Sequence, residues 1–157
     1  PTLVLDDGTA LTQSLAIIDY LDAIAAPRLL PDDPVQRARV MAAAHSVALD
    51  MHPVNNLRVV RHLQAAHGAS AENAKAWMQH WINEGFGALE AMVTDDAPFA
   101  FGDDPDLADI CIVCQAYNAH RWGVDMAPFP RITRIEAACL AHPAIAAAHP
   151  DKQPDAQ

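Results

Sequence analysis

Apolar residues recur at helical spacing through most of the chain beyond residue 34, and prolines divide this pattern into separate segments. Alanine, which has the highest helix propensity, is frequent in the same region. Pro53 is expected to kink or interrupt one long helix, and Pro143 to end the last one. The predicted helices cover residues 34–52, 56–66, 70 onward to a polar loop at 95–105, then 106–121 and 131–142. The chain is therefore predicted to be mostly α-helical.

The first 26 residues follow another pattern. Two short apolar runs flank the Asp6-Asp7-Gly8 segment, and an Asp-Gly pair in this position predicts a β-hairpin. A helix with an apolar face follows, and Ser14 or Thr12 is expected to cap it. A hairpin and one helix are too few to bury a core. We therefore expect this unit to be the end of a larger α/β domain.

Three prolines between residues 27 and 34 mark a linker. The sequence thus predicts the end of one domain over residues 1–26, a linker over 27–34 and an all-helical domain over 35–157. Pro1 is not preceded by an initiator Met, and a strand begins at once after it. We expect that the chain lacks its natural N-terminus.

The net charge limits which molecules the protein can bind, and the cysteine content indicates its cellular compartment. Asp and Glu number 20 against 10 Lys and Arg, so the net charge is −10. Because phosphate binding needs clustered cations, neither nucleic acid nor an anionic membrane is expected as a partner. Three cysteines are too few for a disulfide framework, and no secretory signal or membrane-spanning run is visible. A cytoplasmic location is the simplest interpretation.

One polar run stands out in the helical region. His52, Asn55, Asn56 and Arg58 surround Pro53, where the helix is expected to break. A broken helix exposes backbone and aims side chains, so this run indicates a cleft. Capping of the two broken helix ends explains the same residues equally well. Both interpretations stay open on these residues alone.

Other motifs favour structural roles. The Cys111-Ile112-Val113-Cys114 motif lies inside an apolar helix and not at a helix start, so we expect two buried core thiols and no redox site. Asp106 and Asp109 form a capping-box pattern. The eight histidines show no metal-ligand spacing, and no metal is expected. Arg121 ends a predicted helix, where interaction with the helix dipole is sufficient to explain a cation.

The order of several motifs resembles one family. The stretch Pro1 to Gly8, followed by Leu11-Thr12-Gln13-Ser14-Leu15-Ala16-Ile17-Ile18, resembles the second half of the thioredoxin-like domain of a zeta-class glutathione transferase. The stretch His52-Pro53-Val54-Asn55-Asn56-Leu57-Arg58 and the segment Arg121-Trp122-Gly123 resemble the bacterial maleylacetoacetate and maleylpyruvate isomerases. The resemblance covers nearly the whole chain. It implies an all-helical glutathione-transferase C-terminal domain preceded by the end of a thioredoxin-like domain.

The resemblance also implies glutathione as cofactor and assigns roles to residues. Pro1 is expected to be the cis-proline beside the cysteinyl part of glutathione. Gln13 and Ser14 would bind the γ-glutamyl group, since a helix N-terminus favours an anion. His52 and Asn56 would line the glutathione or substrate cleft. Two arginines would bind the carboxylates of a small dicarboxylic keto acid, namely Arg58 and Arg121.

The implied activity is glutathione-dependent cis–trans isomerisation of maleylacetoacetate or maleylpyruvate in the catabolism of aromatic compounds such as tyrosine or gentisate. The catalytic residue is unknown, because the serine motif of this family belongs to a segment that would precede Pro1. A chain without that segment is expected to be impaired. The family also implies a homodimer, paired through the helix that begins at Pro34 and the helix that carries Trp77.

Two alternatives differ in kind. A zeta-like transferase acting on small α-halo acids would use the same glutathione site but consume glutathione. A non-catalytic helical binding module would need neither glutathione nor the arginines, and the absence of the serine motif is its sole support.

Overall fold

The computed structural model describes residues 1–154. Its secondary structure is almost entirely helical, with one small sheet. Strands β1 and β2 are antiparallel, and Thr2 pairs with Thr12. The elements are β1 (Thr2–Val4), β2 (Ala10–Thr12), α1 (Ser14–Ile24), α2 (Pro34–His45), a π-helical segment (Ser46–Met51), α3 (His52–Val54), α4 (Leu57–His67), α5 (Ala71–Met92), α6 (Leu107–Trp122), α7 (Pro130–Ala141), α8 (Pro143–Ala147) and a 3₁₀ turn (Pro150–Lys152). The predicted fold class is confirmed.

The predicted hairpin is confirmed, but the predicted cap of α1 is wrong. Gly8 turns the chain with φ +87°, a conformation that glycine adopts without strain. Neither Ser14 nor Thr12 caps the helix. The N-cap is Gln13, and its side chain makes no capping hydrogen bond. The first-turn N–H groups of α1 therefore have no side-chain acceptor from the N-cap residue.

A buried aspartate joins α1 to the linker. Asp22 accepts hydrogen bonds from the Leu29 N–H and from Arg28 Nε, the latter at 3.1 Å. Leu29 in turn accepts a hydrogen bond from the Leu107 N–H at 3.0 Å, and Leu30 is buried in the core. The linker is thus held on both sides by defined contacts.

The long helix predicted over residues 34–52 is interrupted earlier than expected. Asp33 caps α2 and Pro34 opens it, but the α-helical hydrogen bonding ends at His45. Six residues then form the π-helical segment, in which the His52 N–H bonds to the Val47 carbonyl. The cause lies downstream, because Pro53 has no N–H and its ring would clash with the carbonyl four residues before it. A wider turn relieves that clash, and π-turns of this kind are frequent at functional sites.

The core is built around α6, which packs against α2, α5 and α7. Ile112, Ala116 and Ala119 lie on its buried face and are fully inaccessible. Phe86 of α5 meets Phe129 edge-on, with ring centroids 5.4 Å apart. No helix in the described range 1–154 combines the length and apolarity that a membrane span requires.

The predicted capping box at the start of α6 is confirmed. Asp106 accepts from the Ala108 and Asp109 N–H groups, and Asp109 accepts from the Asp106 N–H at 2.8 Å. Asp109 also accepts from the buried Ala100 N–H at 2.8 Å, which ties the preceding loop to the helix. Burial and the neighbouring Asp109 carboxylate raise the pKa of Asp106 to about 7.

The prediction of two buried thiols in the CxxC motif is partly wrong. Cys111 is half-buried and Cys114 is exposed, whereas Cys139 is buried. Cys114 faces an apolar groove between α6 and α7, so its helix position does not point into the core. Desolvation raises the pKa of Cys114 and raises that of Cys111 to about 12, so neither thiol is activated as a thiolate.

Candidate functional site

A polar pocket of about 290 Å³ lies where the interrupted helix meets the end of α6. It brings together three of the residues predicted from the sequence, His52, Asn56 and Arg121. Two further polar residues, Asn55 and Asn118, line the same pocket. Leu57, Met78 and Trp122 complete its walls.

Helix α5 holds both walls of this pocket in place. The Trp77 indole Nε1 donates to the Val54 carbonyl at 2.8 Å and so anchors α3. On the opposite side, Gln79 Nε2 donates to the carbonyls of Trp122 and Gly123, at 3.0 and 2.9 Å. These bonds fix the C-terminal turn of α6, which Gly123 closes in the left-handed conformation with φ +67°. The backbone positions of both pocket walls, α3 and the end of α6, are therefore well defined.

The cation of this pocket is available to a ligand. Arg121 is exposed and forms no ion pair or side-chain hydrogen bond with another residue of the described range. By contrast, Arg131 on α7 is committed to Asp95, with Nη2 2.6 Å from the carboxylate. An unpaired guanidinium beside carboxamides is suited to a carboxylate ligand.

Arg58 does not line the pocket. Its backbone N–H donates to Asn56 Oδ1 at 3.0 Å, which makes Asn56 the N-cap of α4, and its side chain is exposed. Asn56 therefore has both roles considered for the polar run, because it caps a broken helix and also lines the cleft. The two interpretations of this residue are compatible.

A second polar feature lies at the start of α1. Gln13 has φ +70° and ψ 122°, and it is the single non-glycine residue with positive φ in the described part of the chain. Such backbone conformations cost roughly 1–3 kcal/mol and cluster at ligand sites. Ser14 is exposed beside it, at the N-terminal turn where free N–H groups favour an anion. The binding of a γ-glutamyl carboxylate by Gln13 and Ser14 stays a prediction.

The remaining predicted site residue, Pro1, is exposed and precedes β1. Its predicted role concerns the peptide bond before residue 1 and stays a prediction. The cis peptide bond found within residues 1–154 joins Ala26 and Pro27.

Sequence reasoning missed Asn118 as a pocket residue and assigned no role to Asn55. Asn55 belongs to the polar run, but the run alone does not tell which of two adjacent asparagines faces a cleft. Asn118 lies three residues before Arg121 on α6, and residues three apart share a helix face. That spacing is the signal by which it could have been found.

Two other features lack the chemistry of a site. A groove of about 740 Å³ lies between α6, α7 and α8 and is lined mostly by apolar side chains. Within residues 1–154, no group of three or more His, Cys, Asp or Glu side chains is arranged to hold a metal ion.

Comparison with known proteins places this geometry in a family. The chain is 46% identical over 153 residues to a maleylacetoacetate isomerase of Rhizobium meliloti, covering 95% of this chain and 72% of that protein. No protein-family model matches the chain.

Solved structures agree closely with the fold. A maleylpyruvate isomerase described as a zeta-class bacterial glutathione transferase superimposes with a TM-score of 0.95 at 40% identity, over all of this chain and 76% of that one. A maleylacetoacetate isomerase of Methylobacterium extorquens AM1, determined with bound malonate and glutathione, gives a TM-score of 0.94 at 35% identity, over all of this chain and 75% of that one. The chain thus belongs to the zeta-class glutathione transferase family, in the group of the maleylacetoacetate and maleylpyruvate isomerases.

Proposed function

We propose that the protein catalyses glutathione-dependent cis–trans isomerisation of maleylacetoacetate or maleylpyruvate, in the catabolism of aromatic compounds. The observation that carries the proposal is the pocket in which Arg121, His52 and Asn56 converge, with the guanidinium unpaired among residues 1–154. Its relatives bear the names of these two isomerases at 35–46% identity.

Glutathione is the proposed cofactor, and the start of α1 fits it. Gln13 and Ser14 would hold the γ-glutamyl carboxylate and amine, with the unpaired N–H groups of the first turn as further donors. His52 and Asn56 would border the bound tripeptide, and Pro1 would lie beside its cysteinyl part. The chemistry that bound glutathione supplies is reversible thiol addition to the conjugated double bond, which permits rotation about that bond.

The arginines would bind the substrate. Arg121 would pair with one carboxylate of the dicarboxylic keto acid through its planar fork of donors. Arg58 is exposed on α4 close to the pocket and would attract the second carboxylate from outside it. Because these cations neutralise the dianion, the substrate can approach a protein whose net charge is −10.

The test is an assay of the full-length protein with both substrates, with and without glutathione. We expect turnover that requires glutathione but leaves its concentration unchanged, since the thiol is returned. Turnover without glutathione would contradict the proposal. Stoichiometric consumption of glutathione would instead identify a transferase acting on compounds such as α-halo acids.

The same proposal includes a homodimer, a cytoplasmic location and the division of the chain at residues 26 and 34. The dimer is supported by two exposed apolar side chains, Val35 of α2 at 62% and Leu49 of the following π-helical segment at 57% exposure. A reducing compartment agrees with three cysteines that form no disulfide.

A further inference from the structure

The pocket contains a buried amide that the structure leaves without partners. Asn55 is 3% exposed, yet neither its Nδ2 nor its Oδ1 has a hydrogen-bond partner among residues 1–154. Leaving a buried polar group unpaired is costly, and most such groups in proteins are paired. Asn55 is the one residue of the described range in which both polar side-chain atoms are buried and unpaired.

The backbone around Asn55 is firmly held, so the free amide is not the result of a loose loop. The Asn55 N–H donates to the His52 carbonyl at 3.1 Å, and the adjacent Val54 carbonyl accepts from Trp77 Nε1 at 2.8 Å. Asn55 itself ends α3, and Asn56 starts α4. Asn55 thus lines the pocket from a fixed position between two helices, and its amide is unpaired there.

We propose that Asn55 contacts the substrate and donates a hydrogen bond from Nδ2 to its keto oxygen. This assignment rests on the proposed isomerase function. A carboxamide has both a donor and an acceptor, whereas a carboxylate only accepts. A keto group that exchanges with its enol offers both an acceptor oxygen and an O–H donor. The amide therefore matches the keto position, while Arg121 in the same pocket matches the carboxylate.

The position of this donor gives it a role in the reaction. Negative charge grows on the carbonyl oxygen conjugated with the double bond as the thiol adds. A donor already fixed beside that oxygen stabilises the charge without reorganisation. Asn55 is then a catalytic residue whose contribution appears in kcat more than in KM.

Two variants test the assignment. Asn55→Leu keeps a side chain of similar size without polar atoms, and Asn55→Ala removes most of the side chain. In the full-length protein we expect kcat to fall about 100-fold or more with KM changed by less than about threefold. The matched control is Asn83→Leu, at an exposed asparagine of α5, which should keep both parameters.

Stability of the ligand-free protein provides a second measurement. Because Asn55→Leu removes unpaired buried atoms, its melting temperature should equal or exceed that of the wild type. A lowered melting temperature in both Asn55 variants would assign the amide to folding and overturn the proposal. The proposal would also be overturned if the wild type is active and both Asn55 variants keep its kcat. A wild type without glutathione-dependent isomerisation would instead refute the isomerase function and, with it, this role of Asn55.

Discussion

At the residue scale, the pocket is defined by one guanidinium and a set of polar side chains around it. Arg121 provides the charge, and His52, Asn55, Asn56 and Asn118 provide the donors and acceptors around it. Arginines that form ion pairs in this protein hold structural elements together. Arg131, for example, joins α7 to the end of α5 through Glu90 and Asp95. Within residues 1–154, Arg39, Arg58 and Arg61 also form no ion pair, so its place in the pocket is what separates Arg121 from them.

We expect Arg121→Ala to raise KM for the dicarboxylic substrate roughly 10- to 100-fold, the range of one or more lost charge-assisted hydrogen bonds. Initial-rate kinetics at saturating glutathione measure the KM for the dicarboxylic substrate. Arg39→Ala, at an exposed arginine of α2, is the control and should leave KM unchanged. An unchanged KM in Arg121→Ala would remove this residue from the site.

The acidic pair at the start of α6 predicts a pH-dependent stability. The folded protein raises the pKa of Asp106 from 3.8 to about 7 by burial and by the Asp109 charge. Between about pH 4 and pH 7 the folded state thus holds a proton that the unfolded state has released. The free energy of unfolding should fall as the pH rises through this interval.

Asp106→Asn retains a capping oxygen but cannot ionise, so its free energy of unfolding should depend less on pH between 4 and 7. Urea unfolding at several pH values measures the two slopes. Asp103→Asn, at an exposed aspartate of the preceding loop, should keep the wild-type slope. Equal slopes in all three proteins would contradict the assignment of the proton to Asp106.

At the element scale, the π-helical segment determines which side chains the polar run presents. A π-turn contains an extra residue, so every side chain after Met51 is rotated relative to a continuous α-helix. Helix α5 supports the segment from behind, and Met51 packs directly against Gly85. A Cβ at Gly85 would overlap the Met51 side chain, whose Sδ would lie 3.1 Å away.

Gly85→Ala should therefore destabilise the protein and lower its activity. Overpacking a core costs about 1–3 kcal/mol, which exceeds the gain of up to about 1 kcal/mol from a better helix former. Gly87→Ala is the matched control, because its added Cβ meets no atom within 4 Å. It should stabilise the protein by up to about 1 kcal/mol, as measured by thermal or urea unfolding. Gains of stability in both variants would show that Met51 can move aside.

At the scale of the whole molecule, residues 27–34 and α6 connect α1 to the helical core. Leu15 and Ile18 of α1 pack on the helical core, and Asp22 holds the linker against it. The exposed apolar residues Val35 and Leu49 lie outside these contacts. They are the surface that the proposed homodimer would cover.

Light scattering after size-exclusion chromatography should give twice the mass of one chain for the full-length protein. Val35→Glu and Leu49→Glu each place a charge in the proposed interface and should increase the monomer fraction. Ile24→Glu, at an equally exposed apolar position of α1, is the control and should remain dimeric. A wild-type mass of a single chain would contradict the dimer itself.

Most of the local structure is readable from the amino-acid sequence, the cap of α1 and the π-helical segment excepted. The hairpin turn at Gly8, the caps at Asp33, Asn56 and Ser70, and the capping box of α6 depend on neighbouring residues, so their patterns are legible without the fold. The helix-rich architecture also follows, because apolar spacing reports which face of each segment is buried. The family resemblance added the predicted roles of Gln13, Ser14 and the two arginines.

Which polar residues share a pocket depends instead on how the helices pack. His52 and Arg121 are 69 positions apart, and α5 brings their helices together through Trp77 and Gln79. The direction of Asn55 depends on the phase of a helix that a π-turn shifts by a fraction of a turn. Propensity and spacing describe single elements and contain neither that phase nor the packing between helices. An unpaired buried amide is visible only when every neighbour is in place.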